Sequence, residues 1–94
     1  MGIIWNFRTW TFFNPQFIAV DDDGAIYVSD FGNKRVQKFS STGEFITEWG
    51  KNGKQSREFR YPYGIAVSDN LVFVADRDLN RIQKFSTNEE FISE

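Results

Sequence analysis

Residues 15–22 read PQFIAVDD, and residues 62–69 read PYGIAVSD. Further along, AIYVSDFGNKRVQKFSSTGEFITE (25–48) is written again as LVFVADRDLNRIQKFSTNEEFISE (71–94). Half of the aligned positions are identical. The offset drops from 47 to 46 between the two stretches, so one residue is lost in the turn that separates them. A period of about 20–50 residues is the signature of solenoids, propellers and arrays, whose units cannot bury their own faces and stack on their neighbours.

Each repeat divides into four short segments rich in β-branched and aromatic residues, with turn residues between them. In the first, FIAV (17–20) leads into Asp21-Asp22-Asp23-Gly24, whose glycine supplies a positive φ. AIYVSD (25–30), RVQKFS (35–40) and EFITEW (44–49) follow, broken by Phe31-Gly32-Asn33-Lys34 and Ser41-Thr42-Gly43. The second repeat gives GIAV (64–67), LVFVAD (71–76), RIQKFS (81–86) and EFISE (90–94). FIAV and GIAV are apolar at every position, which predicts strands covered on both faces. Four-stranded antiparallel sheets stacked face to face around an axis meet that demand, and that architecture is a β-propeller.

Four elements occur in order: F/Y-x-P-x-x-I-A-V, I-Y-V-x-D, R-V/I-Q-K-F and G-E-F-I. Their order and spacing resemble the NHL repeat, over residues 13–50 and 60–94. A WD40 assignment fits less well, because the Gly-His start is absent and Trp49 is followed by glycine. The reading is therefore an all-β chain of two NHL-type blades. Residues 13–50 form the first and 62–94 the second, with 51–61 as the interblade loop. Residues 1–12, containing the strand-like run from Gly2 to Phe7, resemble the outer strand of a preceding blade. Asp30 and Asp76 close the second strands and Arg35 and Arg81 open the third. Recurring in both blades, they are expected to be structural ties across a tight turn.

Composition excludes several functions. With 40% hydrophobic and 18% aromatic residues the chain is not of a disordered type. No run approaches the roughly 18 apolar residues of a membrane span. MGIIWNFRTW lacks the basic region of a signal peptide, so a cytoplasmic location is expected. There is no histidine and no cysteine, which removes the commonest general base and the usual zinc ligands. Related propellers include peptidyl-amide lyases with a histidine-bound metal, and that site cannot be assembled here. No nucleophile–base set, catalytic carboxylate pair or phosphate-binding glycine loop is present. The expectation is a non-enzyme without cofactor or metal; a piece of a propeller enzyme is the remote alternative. Asp21-Asp22-Asp23-Gly24 lacks the spacing of a calcium loop and reads as a hairpin turn.

The net charge of −2 hides an uneven distribution. Blade topology assigns Lys34, Lys51, Lys54, Arg57, Arg60 and Arg77 to one rim, with Arg8 nearby and Asp30, Asp76, Asp78 and Glu58 partly offsetting them. The opposite rim receives Asp21, Asp22, Asp23, Glu44, Asp69, Glu89 and Glu90. Tyr61, Tyr63, Phe31 and Phe59 add aromatic surface to the basic rim. Candidate ligand-binding residues are thus Lys51, Lys54, Arg57, Arg60, Tyr61 and Arg77, held on the longest loop. NHL domains of tripartite-motif proteins bind RNA through a basic face, so the resemblance implies RNA as an alternative ligand. A solvated loop of mixed charge is the plainer reading. A propeller closes with about 4–8 blades. Two blades therefore point to a scaffold that self-assembles head to tail, three copies giving the six blades familiar in this family. The expected partners are other copies of the chain and a protein or peptide ligand, with no membrane.

Overall fold

The computed structural model describes residues 15–94, and the segment 1–12 lies outside the description apart from its sequence. Eight strands follow in order. β1 (Pro15–Val20), β2 (Ile26–Asp30), β3 (Arg35–Phe39) and β4 (Phe45–Trp49) make one antiparallel sheet. β5 (Pro62–Ser68), β6 (Leu71–Asp76), β7 (Arg81–Ser86) and β8 (Phe91–Ser93) make the other. Each sheet keeps its strands in chain order, as a blade does.

The repeat extends to irregularities of register. Both first strands begin at a proline followed by a register shift, Pro15/Phe17 and Pro62/Gly64. Proline has no N–H to give a ladder, so a strand start beside a bulge suits it. The lost residue sits in the first hairpin. Blade 2 turns tightly through Asp69 (φ 53°) and Asn70 (φ 63°), while blade 1 uses a longer turn with Gly24 at φ 85°.

The blades stack through opposite faces. Tyr27, Val36 and Trp49 of blade 1 form one core with Val72, Val74 and Phe85 of blade 2, and Phe59 from the interblade loop. Ile65, Val67 and Phe91 pack against it. Trp49 lies 5.4 Å from Phe85, centroid to centroid. Each fully buried Val or Phe contributes about 1.5–3 kcal/mol, so this core is the main cohesion between the sheets. Polar contacts set its register: Ser29 Oγ donates to the Tyr63 carbonyl (3.0 Å), and Lys38 Nζ donates to that of Thr87 (2.7 Å). Thr47 Oγ1 adds a bond to Glu89 Oε1 (3.3 Å).

The first strands depart from the expectation of two covered faces. Ile18 is 60% exposed and Val20 57%, although Ile26, Val28 and Phe39 on the same side of blade 1 are buried. Their counterparts Ile65 and Val67 are half-buried, because blade 1 lies over them. Full apolarity marks a strand for burial, but a neighbouring sheet must be there to bury it.

Candidate functional site

Alternation of strand direction brings the β2–β3 turn, the β6–β7 turn and the interblade loop to one rim. Each is fastened by residues that the repeat supplies. Asp76, 2% exposed, accepts backbone N–H bonds from Arg60 (2.7 Å), Tyr61 (3.1 Å), Asp78 (3.1 Å) and Leu79 (3.1 Å). It therefore ties the end of the loop to the β6–β7 turn. Arg81 reaches the other end of the loop, donating to the carbonyls of Lys54 (2.8 Å), Gln55 (2.7 Å) and Glu58 (3.0 Å). It also bonds Glu94 at 3.2 Å. In blade 1, Arg35 Nε stands 3.7 Å from Asp30 and its guanidinium pairs with Glu48. Asn33 Nδ2 also donates to Asp30, at 3.0 Å. Asp76 and Arg81 face one another in the ladder, yet their principal bonds run to the loop.

Sequence reasoning missed one clamp residue. Gln83 donates from Nε2 to the Glu58 carbonyl and accepts from the Arg57 N–H at Oε1, both at 2.8 Å. The repeated Gln of RVQKF and RIQKF was the available signal, since an amide recurring within a strand needs buried partners. Behind it, Phe59 is fully buried and packs against Phe85. Gly50, at φ 108°, makes this seat possible: a Cβ there would lie 2.6 Å from the Phe59 ring and 2.9 Å from the Lys34 carbonyl.

The expected basic residues fall into smaller groups: Lys34 and Lys51 line one cleft of the rim, and Lys51 and Arg57 a second. Arg57 turns its guanidinium to the Glu89 carbonyl, in the β7–β8 turn of the opposite rim. Lys51 is 77% exposed and stands 3.8 Å from Glu58, a weak surface pair. Lys54 and Arg60 are exposed. Lys34 and Arg77 are held over aromatic rings. Lys34 Nζ is 3.7 Å from the Phe31 centroid, and the Arg77 guanidinium is 5.3 Å from Tyr61 and 5.6 Å from Tyr63. Phe31 stacks on Tyr61 at 3.9 Å, Tyr61 meets Tyr63 at 5.9 Å, and Tyr63 meets Phe17 at 4.8 Å. The rim thus carries a row of four rings with a cation near each end of its stacked part. Arg8 lies outside the described residues.

On the other rim, Asp21 is committed to its own turn. Oδ1 accepts from the N–H groups of Asp23 and Ala25 (both 2.9 Å), and Oδ2 accepts from the Tyr27 hydroxyl (3.0 Å). Burial, and then the Asp21 carboxylate, raise the Tyr27 pKa well above the usual tyrosine value. Among the described residues no group of three or more acidic side chains converges to hold a metal ion.

Comparison with known proteins agrees with the blades. Mouse peptidyl-glycine alpha-amidating monooxygenase is 39% identical over 60% of this chain, and the rat enzyme 38% over 60%. The Drosophila protein brain tumor is 36% identical over 63% of the chain. The chain spans about 6% of the length of each of these relatives. The NHL repeat family itself matches at residues 12–39 and again at 59–85, the first three strands of each blade. With the repeat matched twice and each match laid over one sheet, the chain belongs to the NHL-repeat family.

Proposed function

We propose that the chain is an interaction scaffold without catalytic activity, whose two blades extend into a closed propeller by joining head to tail with further copies. The observation that carries this reading is the open side of blade 2. Gly64, Ile65, Ala66, Phe73, Ala75 and Ile82 line a largely apolar depression of about 320 Å³, and Ile82 is 56% exposed. In blade 1 the corresponding face, with Tyr27, Ser29 and Val36, is the one that packs on blade 2. The uncovered face thus repeats a surface that already has a blade-shaped partner within the chain. The exposed Ile18 and Val20 of a second copy supply the apolar side chains such a partner needs. Three copies make six blades under threefold symmetry.

A protein or peptide ligand fits the rim better than RNA, because the Arg57 guanidinium is engaged by the Glu89 carbonyl within the chain. Among the described residues no helix is long and apolar enough to cross a membrane. Light scattering across a concentration series tests the assembly. A mass near three times 11.0 kDa is expected. A particle that stays at 11.0 kDa at every concentration overturns the reading.

A further inference from the structure

The two blades are written from one pattern, so the places where they differ at a shared position are free of the demands of the blade. Several of these differences meet at one spot. Phe31 holds the position that Arg77 holds in blade 2, and Lys34 the position of Asn80. Tyr61 and Tyr63 correspond to Asn14 and Gln16. Phe17 corresponds to Gly64. The ring and cation members of this set are linked by a continuous chain of contacts across the junction between the blades, from Lys34 through Phe31, Tyr61 and Tyr63 to Phe17, with Arg77 beside the two tyrosines.

Lys34 is placed at a cost. Its φ is 55°, in the left-handed region, and Asn80 occupies the same conformation at 51°. Asparagine tolerates this geometry and lysine does not favour it. The turn therefore has a better residue available, used in blade 2, and carries a lysine in blade 1. Among the described residues neither Lys34 nor Arg77 enters an ion pair, whereas Arg35, Arg81 and Lys51 all do. Their partners are neutral rings, which orient a cation without cancelling its charge. The backbone of Arg77 is fixed as well, its N–H donating to the Tyr61 carbonyl at 3.0 Å.

We infer that this junction is a docking site for an acidic peptide segment that carries an aromatic or aliphatic side chain among its carboxylates. The class of partner follows from what the rings leave open. Phe31 is covered by Lys34 and by Tyr61, so a nucleobase has to displace one of them to stack on that ring between the two cations. The cations remain able to receive carboxylates, and Tyr63 and Phe17, 38% and 44% exposed, offer apolar surface beside them. Exposed Lys54 and Arg60 give the rim a long-range attraction for a negative segment. This inference rests on the scaffold reading and names its partner.

The test is fluorescence anisotropy on the full chain at low and physiological salt. The probes are a labelled extended peptide containing Glu-Glu-Tyr-Glu, the same peptide with Gln for each Glu, and a labelled oligouridylate. The Glu peptide is expected to bind at least about tenfold tighter than the Gln peptide, with the difference shrinking as salt rises. Lys34→Asn, which installs the blade 2 residue, and Arg77→Gln should each weaken the Glu peptide about five- to twentyfold. Neither variant should lower the thermal transition of the parent, and Lys34→Asn, which relieves the left-handed lysine, should raise it slightly. Equal binding of the two peptides, unchanged affinity in both variants, or preferential capture of oligouridylate lost in the same variants each overturns the inference. Mass measured on the same samples keeps the two readings apart. A particle that assembles and ignores the peptide refutes this site alone, and one that binds the peptide as an 11.0 kDa particle refutes the assembly alone.

Discussion

Val36 in blade 1 is fully buried, while Ile82, its counterpart in blade 2, is 56% exposed. Ser29 is fully buried and bonded to the Tyr63 carbonyl; its counterpart Ala75 has no hydroxyl to offer and is half-buried. The two sheets share strand order, bulges and turn positions, so this contrast does not come from the blades themselves. It comes from what lies beside them. A blade fixes which side chains share a face, and the neighbouring blade fixes which face is core.

The contrast breaks most severely at the two sides of blade 2. Val74→Asp places a charge without a partner in the shared core, at a cost of several kcal/mol. The variant should lose cooperative thermal unfolding as followed by circular dichroism. Ile82→Asp, on the open side, should move the stability of the separate chain by no more than about 0.5 kcal/mol, while abolishing any higher mass seen by light scattering. Equal damage from both substitutions defeats the distinction between a covered and an uncovered face.

A smaller effect sharpens the comparison of the loop ties. Asp76→Asn leaves several backbone N–H groups with a neutral, half-matched acceptor and should cost about 2–3 kcal/mol. For a chain of this size that lowers the midpoint of thermal unfolding by roughly 10–20 °C. Asp78→Asn, in the same turn but exposed, should leave it in place. If the two variants melt together, the buried carboxylate is not what fastens the loop.

The smallest effect concerns Tyr27 and its counterpart Phe73. In the folded chain the Tyr27 hydroxyl keeps its proton to higher pH than an unfolded tyrosine, whose pKa is about 10. Below about pH 10 its contribution to stability is fully present. Above that, the unfolded state loses the proton first, so the contribution declines as pH rises toward the folded value. Tyr27→Phe, which copies blade 2, should cost about 1 kcal/mol at neutral pH and make the alkaline decline shallower than in the parent. Parallel alkaline curves for the two proteins exclude Tyr27 as the group responsible.

Much of this molecule was legible in the sequence because its signals are local and doubled. All eight strands were located within two residues of their observed ends, since turn residues bracket β-branched runs in both copies. Asp76 and Arg81 were singled out as recurrent polar residues at a turn, although their partners on the loop could not be read. Partners across 15 to 27 residues of chain depend on where the loop folds back, which no spacing rule encodes. The basic rim was legible as a set of residues and not as a site. Arg57 left it for the Glu89 carbonyl, and Phe17 joined it through Tyr63.

By itself the sequence determined the repeat, the strands, the turns and the absence of histidine and cysteine chemistry, because each is a property of neighbours along the chain. Tertiary structure alone decided which apolar residues became core and which cations were neutralised. Ile18 and Ile65 stand in the same I-A-V motif, and only the second lies under another sheet. Lys34 and Lys51 flank the same rim, yet one faces a ring and the other a carboxylate. Burial and pairing are relations between surfaces brought together by the fold, and their energy exists only once that juxtaposition is made.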